Sequence, residues 1–471
     1  MIHHYRVLAG LLFSCLILLI LKRTINVLRP SGEETPQTFT YIPRSRSNIA
    51  RFSHLDKAAL LDYAIPRLLD HLADTDVLEI SRRARLFAKL HPIPTALHES
   101  EMARLLESQL YGWVRGPKYK SVSSLAQSFR NGGQGIVITT GDHYFRFAVH
   151  LIKSLQMFNC TLPIEIWYNG PKDLNSTRIE FLERLAPTKI QVKDIQSYFD
   201  VKMETWDIKP FAMLASSFEQ VMLLDADTVF MKDPSTLFKD PAYQRNGVLF
   251  FKDRSLFPGQ GDKSNWVLSL FPEPHSQRVR NLRILQARSQ YELESGVVII
   301  DKRRHFHGIL ATGLLNCPGP VKDMIREQTH GEKETFWIGL EMLDEPWSFM
   351  PHLPGTLGTI CHNEKDNVDE LCGKLAHFDR QGKLLWFNDG IAASKLPNDF
   401  FLSEVTDLTH YARESECIWE NLCLRNGPFH NLTSSEQRVI EDLKGLYKDN
   451  DIWGLGNAEI EARALIKADQ D

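Results

Sequence analysis

Apolar residues change their period twice along this chain. Between Lys57 and Trp113 they recur at three- and four-residue steps, as in Leu60, Leu61, Ala64, Leu68 and Leu69, and the theme repeats from Ile80 to Leu90. That spacing predicts helices with one apolar face. Past Gly132 short apolar runs at 135–141, 164–168, 190–192, 248–251 and 296–300 predict strands. Helical segments separate them: Phe145, Ala148, Val149, Ile152 and Leu155 mark one face, Ile179, Leu182 and Leu185 another, and 210–220 a third. Further helices are predicted at 321–328 and 334–343. Strand–helix alternation of this kind predicts an α/β fold, a mostly parallel sheet with helices on both faces. Residues 253–290 are irregular, 351–398 are rich in Gly and Pro, and 434–471 return to helical spacing with charged faces.

The run at 221–230, VMLLDADTVF, organises the rest. Four apolar residues without alternation suit a strand buried on both faces. Two aspartates follow, Asp225 and Asp227. Carboxylates are excluded from the middle of such a sheet but fit its carboxyl edge, where ligands of open α/β sheets bind. A carboxylate pair there is a hard oxygen site for Mn²⁺ or Mg²⁺. A solvated pair at a strand end is the plainer reading, and Asp-x-Asp alone does not exclude it.

The N-terminus is of another kind. Residues 7–21, VLAGLLFSCLILLIL, are uncharged, with Arg6 before and Lys22-Arg23 after. No small-residue cleavage site follows, so the segment reads as an uncleaved signal anchor rather than a removed signal peptide. Residues 24–55 have no sustained period and read as an extended stem. The chain holds 55 basic and 59 acidic residues, a balance that argues against a nucleic-acid binder driven by bulk charge. Asn159, Asn175 and Asn431 each begin an N-x-[ST] triplet. Outside the apolar segment, which holds Cys15, there are six cysteines: Cys160, Cys317, Cys361, Cys372, Cys417 and Cys423. An even set is compatible with disulfides, with Cys361/Cys372 and Cys417/Cys423 as the local pairings. Paired CxxC spacing is absent, which argues against a zinc site. Anchor, sequons and cysteines together predict a short cytosolic tail and a lumenal body.

Three blocks, Leu223-Leu224-Asp225-Ala226-Asp227-Thr228-Val229, Glu294 to Lys302 (ESGVVIIDK) and Gly331 to Trp337 (GEKETFW), resemble the fungal alpha-1,3-mannosyltransferase family, glycosyltransferase family 71, over about residues 130–400. The resemblance implies a GT-A nucleotide-sugar-binding domain of Rossmann-like topology, a Golgi membrane protein of type II, a GDP-mannose donor and Mn²⁺. In related GT-A enzymes the second aspartate is the stronger metal ligand and the first reaches ribose and metal, roles carried here to Asp227 and Asp225.

His377-Phe378-Asp379-Arg380-Gln381-Gly382-Lys383 resembles a block of the glycogenin-like enzymes in which histidine binds Mn²⁺ and lysine the diphosphate. That resemblance makes His377 the third metal ligand and Lys383 the diphosphate contact, although extra residues precede Gly382 and Leu384-Leu385 replace a proline. His352 and His362 are the substitutes. Lys209 resembles a donor-facing lysine of the same enzymes; a surface lysine at a helix start is the alternative. Thr139, at the end of the first predicted strand, faces the ligand edge. Ser295 and Gly296 open a strand where glycine permits close approach of a sugar or of backbone. Glu332 and Glu334 lie near a helix N-terminus, where carboxylates gain from the dipole. The functional reading places one beside the sugar. Glu332 matches an acidic position in the glycogenin-like enzymes.

The chain thus divides into a cytosolic tail 1–6, anchor 7–21, stem 22–55, helical region 56–130, GT-A domain 131–400 and helical extension 401–471. The expected activity is retaining transfer of mannose from GDP-mannose, with Mn²⁺, to mannose-containing glycans of glycoproteins in the Golgi, with no nucleic-acid partner. The rivals are a UDP-sugar donor on the same fold, a catalytically silent membrane-anchored lectin or scaffold, and a metal-dependent phosphoesterase. The last usually carries a richer His/Asp cluster.

Overall fold

The protein is described by a computed structural model covering residues 76–91, 101–185, 189–259, 263–391, 407–415, 418–420, 423–450 and 452. The expected anchor and stem lie outside the described residues. Among those described, no helix is long and apolar enough to cross a membrane.

A six-stranded sheet forms the centre. Its strands are β1 (Gln134–Thr139), β2 (Ile164–Tyr168), β3 (Ile190–Asp194), β4 (Gln220–Asp225), β6 (Val248–Lys252) and β7 (Leu293–Asp301), in the order β3-β2-β1-β4-β7-β6. The first four pair in parallel. β7 is antiparallel to both β4 and β6, so it alone is reversed. The sheet is therefore mixed and mostly parallel.

The unbroken run of β4 follows from its surroundings. Val221 and Leu223 join one apolar core, Met222 and Leu224 the other, and all four are fully buried. Side chains alternate faces along a strand, so a strand covered on both sides has no polar positions. One face is covered by helices α1 (Val77–Leu90), α3 (Ile208–Ala215), α4 (Lys302–Asn316) and α5 (Thr335–Met342). The other is covered by α2 (Phe145–Met157) and α6 (Ser434–Asp449). Thr433 starts α6 with a reciprocal capping box to Glu436, the T-x-x-E pattern that satisfies two otherwise orphaned N–H groups.

The Gly/Pro-rich stretch is a second, antiparallel sheet. It contains β8 (Gly355–Asn363), β9 (Val368–Phe378), β10 (Leu384–Phe387), β11 (His410–Arg413), β12 (Ile418–Glu420), β13 (Cys423–Arg425) and β14 (His430–Asn431). Several of these strands fall within 401–471, so that region is strand-rich before its one described long helix. Strand β5 (Val229–Phe230) joins the sheets: it leaves β4 through a turn and pairs antiparallel with β10. In that turn the Thr228 N–H donates to the Asp225 carbonyl at 3.1 Å.

The cysteine expectation is corrected. Cys372 and Cys423 form a disulfide between paired strands β9 and β13, while Cys361 is a free, exposed thiol and Cys417, the expected partner of Cys423, lies outside the described residues. Sequence proximity misleads because adjacent antiparallel strands bring distant residues closer than neighbours within one strand. Asn159, Asn175 and Asn431 are all exposed.

Candidate active site

Asp225 ends β4 at the carboxyl edge of the sheet, opposite Thr139 in the ladder with β1. Lys209, in the first turn of α3, aims its ammonium at the same place. Pro210 follows it where a helix has no N–H to lose. Lys209 Nζ stands 2.7 Å from Asp225 Oδ1 and 2.8 Å from Glu332 Oε1. It also donates to Ser295 Oγ at 3.3 Å, and Ser295 donates to Glu332 Oε1 at 2.9 Å. Lys209, Glu332 and Ser295 are buried. Four residues from four separate stretches of sequence thus close into one polar cluster.

Its electrostatics follow from burial set against charge. Burial alone would lower the Lys209 pKa, but the Asp225 and Glu332 carboxylates outweigh it and raise it. Burial would raise Glu332, yet the Lys209 ammonium and the Lys209 and Ser295 hydrogen bonds hold it below its usual value. Asp225 moves the other way: burial raises it, Lys209 opposes, and the Asp227 and Glu332 carboxylates add to the rise. Asp227 is buried as well, and its carboxylate acts on Asp225. Carboxylates this close to one another are the hard oxygen donors that a divalent cation takes.

Asp227 is tied to the second sheet. Its carbonyl accepts from the Gly390 N–H at 2.8 Å. Gly390 and Asp389 both adopt left-handed backbone, φ 64° and 77°. The buried Lys374, mid-strand in β9, donates to the Asp389 carboxylate at 2.7 Å and to its carbonyl at 3.1 Å. Asn388 Nδ2 donates to Glu294 Oε1 at 3.3 Å, which also accepts from the Gly296 N–H at 3.1 Å. The Asn388-Asp389-Gly390 turn and Lys374 are the part of the site that sequence reasoning missed. The available signals were a lone lysine in the strand VDELCGKLAHF and an Asn-Asp-Gly turn after LLWF.

Gly296 is a packing glycine. A Cβ there would meet the Trp386 ring at 2.9 Å, and its carbonyl accepts from Thr228 Oγ1 at 3.1 Å. His377 stacks on that Trp386 ring, centroids 4.0 Å apart. Burial pushes its pKa down to about 3, so it is a neutral imidazole. Its Nε2 is buried without a hydrogen bond, the kind of atom a cation would satisfy. Yet donor atoms of Asp225, Asp227 and His377 do not gather within 4.8 Å of one another. Among the described residues that grouping occurs only at Glu370, Cys372 and Cys423, where two members form the disulfide. Asp225 and Asp227 suit a hard cation, and His377 does not complete their shell in this arrangement. His352 and His362 do not either: His352 bonds the Arg380 carbonyl and His362 pairs with Asp369.

Two further expectations are corrected. Lys383 is exposed, beyond the end of β10. Phe387, at the other end, pairs with Val229, so Lys383 lies about 13 Å along the strand from the aspartate turn. The block resembling a diphosphate loop is instead a hairpin turn, held by Asp379 bonds to the Gln381 and Lys383 N–H groups. Glu334 is structural. Its Oε1 accepts from the Glu292 and Leu293 N–H groups at 3.0 and 3.2 Å and its Oε2 from Trp337 Nε1, so both oxygens face the core.

The sequence profile of the family described as "Mannosyltransferase putative" matches residues 133–379. Alpha-1,3-mannosyltransferase MNT2 of Saccharomyces cerevisiae is 27% identical over 301 residues, 56% of this chain and 53% of its own. Alpha-1,3-mannosyltransferase MNN1 of the same yeast is 23% identical over 320 residues, 56% of this chain and 41% of its own. The chain spans about half the length of the curated relatives it matches. Among solved structures, the galactosyltransferase LgtC aligns at 12% identity and TM-score 0.31, covering 46% of this chain and 73% of its own, a likeness too slight to bear on the chemistry. On the match across more than half of its residues, the chain belongs to the fungal alpha-1,3-mannosyltransferase family.

Proposed function

We infer that this chain is a metal-dependent glycosyltransferase of GT-A type that transfers mannose from GDP-mannose, with retention, to the 3-hydroxyl of a mannose-containing glycan. The observation that carries the reading is the buried cluster of Lys209, Asp225, Glu332 and Ser295 at the carboxyl edge of β4, with Asp227 in the following turn. Family membership supports the sugar and the linkage. Asp225 and Asp227 would hold a divalent cation such as Mn²⁺, which when bound neutralises charge developing on the leaving diphosphate. Lys209 holds Asp225 and Glu332 in fixed positions and keeps Glu332 charged beside the sugar. The Asn388-Asp389-Gly390 turn and Lys374 fix the Asp227 backbone from the other side.

The setting is the second half of the proposal: a Golgi membrane protein with a lumenal body. It rests on the apolar segment 7–21, the exposed sequon asparagines and the Cys372–Cys423 disulfide.

The test incubates the chain with GDP-mannose or a UDP-sugar and methyl α-mannoside, with Mn²⁺ or with a chelator. Turnover of GDP-mannose alone, lost on chelation and yielding an alpha-1,3 disaccharide, is the expected result. Turnover of a UDP-sugar instead would overturn the donor and keep the site. No turnover with any donor, large glycan acceptors included, would overturn the enzyme.

A further inference from the structure

The rim beside the Lys209–Glu332 pair carries an aromatic surface that the polar cluster does not use. Trp206 is 45% exposed. Among the described residues, only Leu105 and Phe257 are other large apolar side chains standing out so far. Leu105 belongs to a helix before the first sheet. Phe257 follows Leu256, whose carbonyl accepts from the Gln290 N–H. An indole that far into water gives back little of the free energy its burial would supply.

Trp206 is nonetheless held firmly. The next residue, Asp207, is buried and accepts from Lys322 and, at 2.7 Å, from Arg326. Arg326 also donates to the Gly331 carbonyl and to Asn316 Oδ1. Gly331 has φ +66°, and a Cβ on it would stand 3.3 Å from Trp206 Cε3, so the indole lies against this glycine. His330 is next, its ring 6.0 Å from the Trp206 ring, and Tyr291 stands edge-on to His330 at 6.4 Å. Lys263 and Lys333 each hold an ammonium 4.8 Å from the Tyr291 ring.

The position gives the surface its meaning. Lys209 comes one helical turn after Trp206, Glu332 comes directly after Gly331, and the two meet at 2.8 Å. The same two loops therefore build the ion pair and the aromatic rim. A hexopyranoside has a face of C–H groups bounded by hydroxyls. A rigid, half-bare indole matches that face and leaves the hydroxyls to polar neighbours.

We propose that Trp206, with His330 beside it, is the stacking platform for the hexopyranoside acceptor. This rests on the glycosyl-transfer reading above. Trp206 binds the acceptor's ring, and donor binding does not involve it.

The experiment compares the full chain with Trp206→Ala, Trp206→Phe and His330→Ala. It measures the acceptor KM for mannobiose, nucleotide affinity, and donor hydrolysis without acceptor. Trp206→Ala is expected to raise the KM about tenfold, the order of one aromatic contact. Nucleotide affinity and hydrolysis should not change, and Trp206→Phe should recover most of the loss. An unchanged KM in a Trp206→Ala protein that still hydrolyses donor overturns the platform. So does a parallel loss of nucleotide affinity, which would put Trp206 on the donor side. If Trp206→Ala does not fold, an unchanged KM in Trp206→Leu, which keeps an apolar side chain without a ring face, overturns it. If the native chain transfers no hexose, the functional reading fails separately and calorimetric titration with mannobiose decides. Binding lost in Trp206→Ala supports the platform, and equal or absent binding overturns it.

Discussion

Lys374 lies in the middle of a buried strand and reaches both the carboxylate and the carbonyl of Asp389, at 2.7 and 3.1 Å. That contact fixes the turn whose Gly390 N–H holds the Asp227 carbonyl. Removing one partner of a buried ion pair leaves the other charge uncompensated. Lys374→Met is expected to lower stability by about 3–5 kcal/mol, and the double variant with Asp389→Asn to recover part of it. Denaturant unfolding of the two single variants and the double one measures the coupling; additive losses would show that the pair does not act as a unit.

Asp227→Ala is expected to reduce transfer at least about a hundredfold, the scale of losing one electrostatic group at a developing charge. Circular dichroism should be unchanged, since the bond from the Gly390 N–H goes to the Asp227 carbonyl, which the substitution keeps. Manganese binding followed by electron paramagnetic resonance should weaken in step. Full activity in this variant would remove the metal assignment.

His150 ties the two helices on one face of the sheet: its Nε2 donates to the Leu443 carbonyl at 3.0 Å, and its ring packs on Tyr447. Burial lowers its pKa to about 4, against 6.5 in an open chain. The unfolded chain therefore binds the extra proton first. The stability this neutral imidazole provides is complete above about pH 6.5 and drains as pH falls toward 4, at up to about 1.4 kcal/mol per unit. His150→Gln can keep the donor and lacks the titration. Its stability should fall less steeply over that window in urea melts run at successive pH values.

The Cys372–Cys423 bridge closes a loop of 51 residues. Replacing both cysteines with serine is expected to cost roughly 2–5 kcal/mol. Non-reducing peptide mapping should recover the Cys372–Cys423 pair, with Cys361 alkylated; a Cys361–Cys372 peptide would contradict the fold of the second sheet.

The first sheet was legible in the sequence chiefly through β4, whose apolar residues are buried on both faces and carry no polar interruption. The apolar runs 221–224 of β4 and 297–300 of β7 are unbroken, and the helices of the domain keep their period. The predicted helix over 210–220 ends instead at Ala215, where Ser216 and Ser217 open a turn into β4. The second sheet was not legible. β9 holds Cys, Gly and Lys among its apolar positions, and its glycines, Gly358 and Gly373 of paired strands, fit because a Cβ would meet opposing backbone.

The site divides the same way. Asp225, Asp227 and Ser295 stand out by position at strand ends, Lys209 and Glu332 by resemblance to glycogenin-like enzymes, and the structure joins Lys209, Asp225, Ser295 and Glu332 by direct contacts. Lys383 and Glu334 were misread because a motif's spacing says nothing about which way a hairpin turns or which face of a helix start is buried. Lys374 and Asp389 were missed because their pairing depends on a register between strands that no local pattern records.

The β5–β10 strand pair has a practical consequence for how the gene is cut. The family match stops at residue 379, between the two strands of the hairpin that β9 and β10 form. A fragment trimmed to that boundary would retain both aspartates, Lys209 and Glu332 yet lose β10, Trp386 and the turn that steadies Asp227. A unit that preserves this polar cluster and the turn beside it runs past residue 379, through the disulfide at Cys423 and the helix that ends at Asp449.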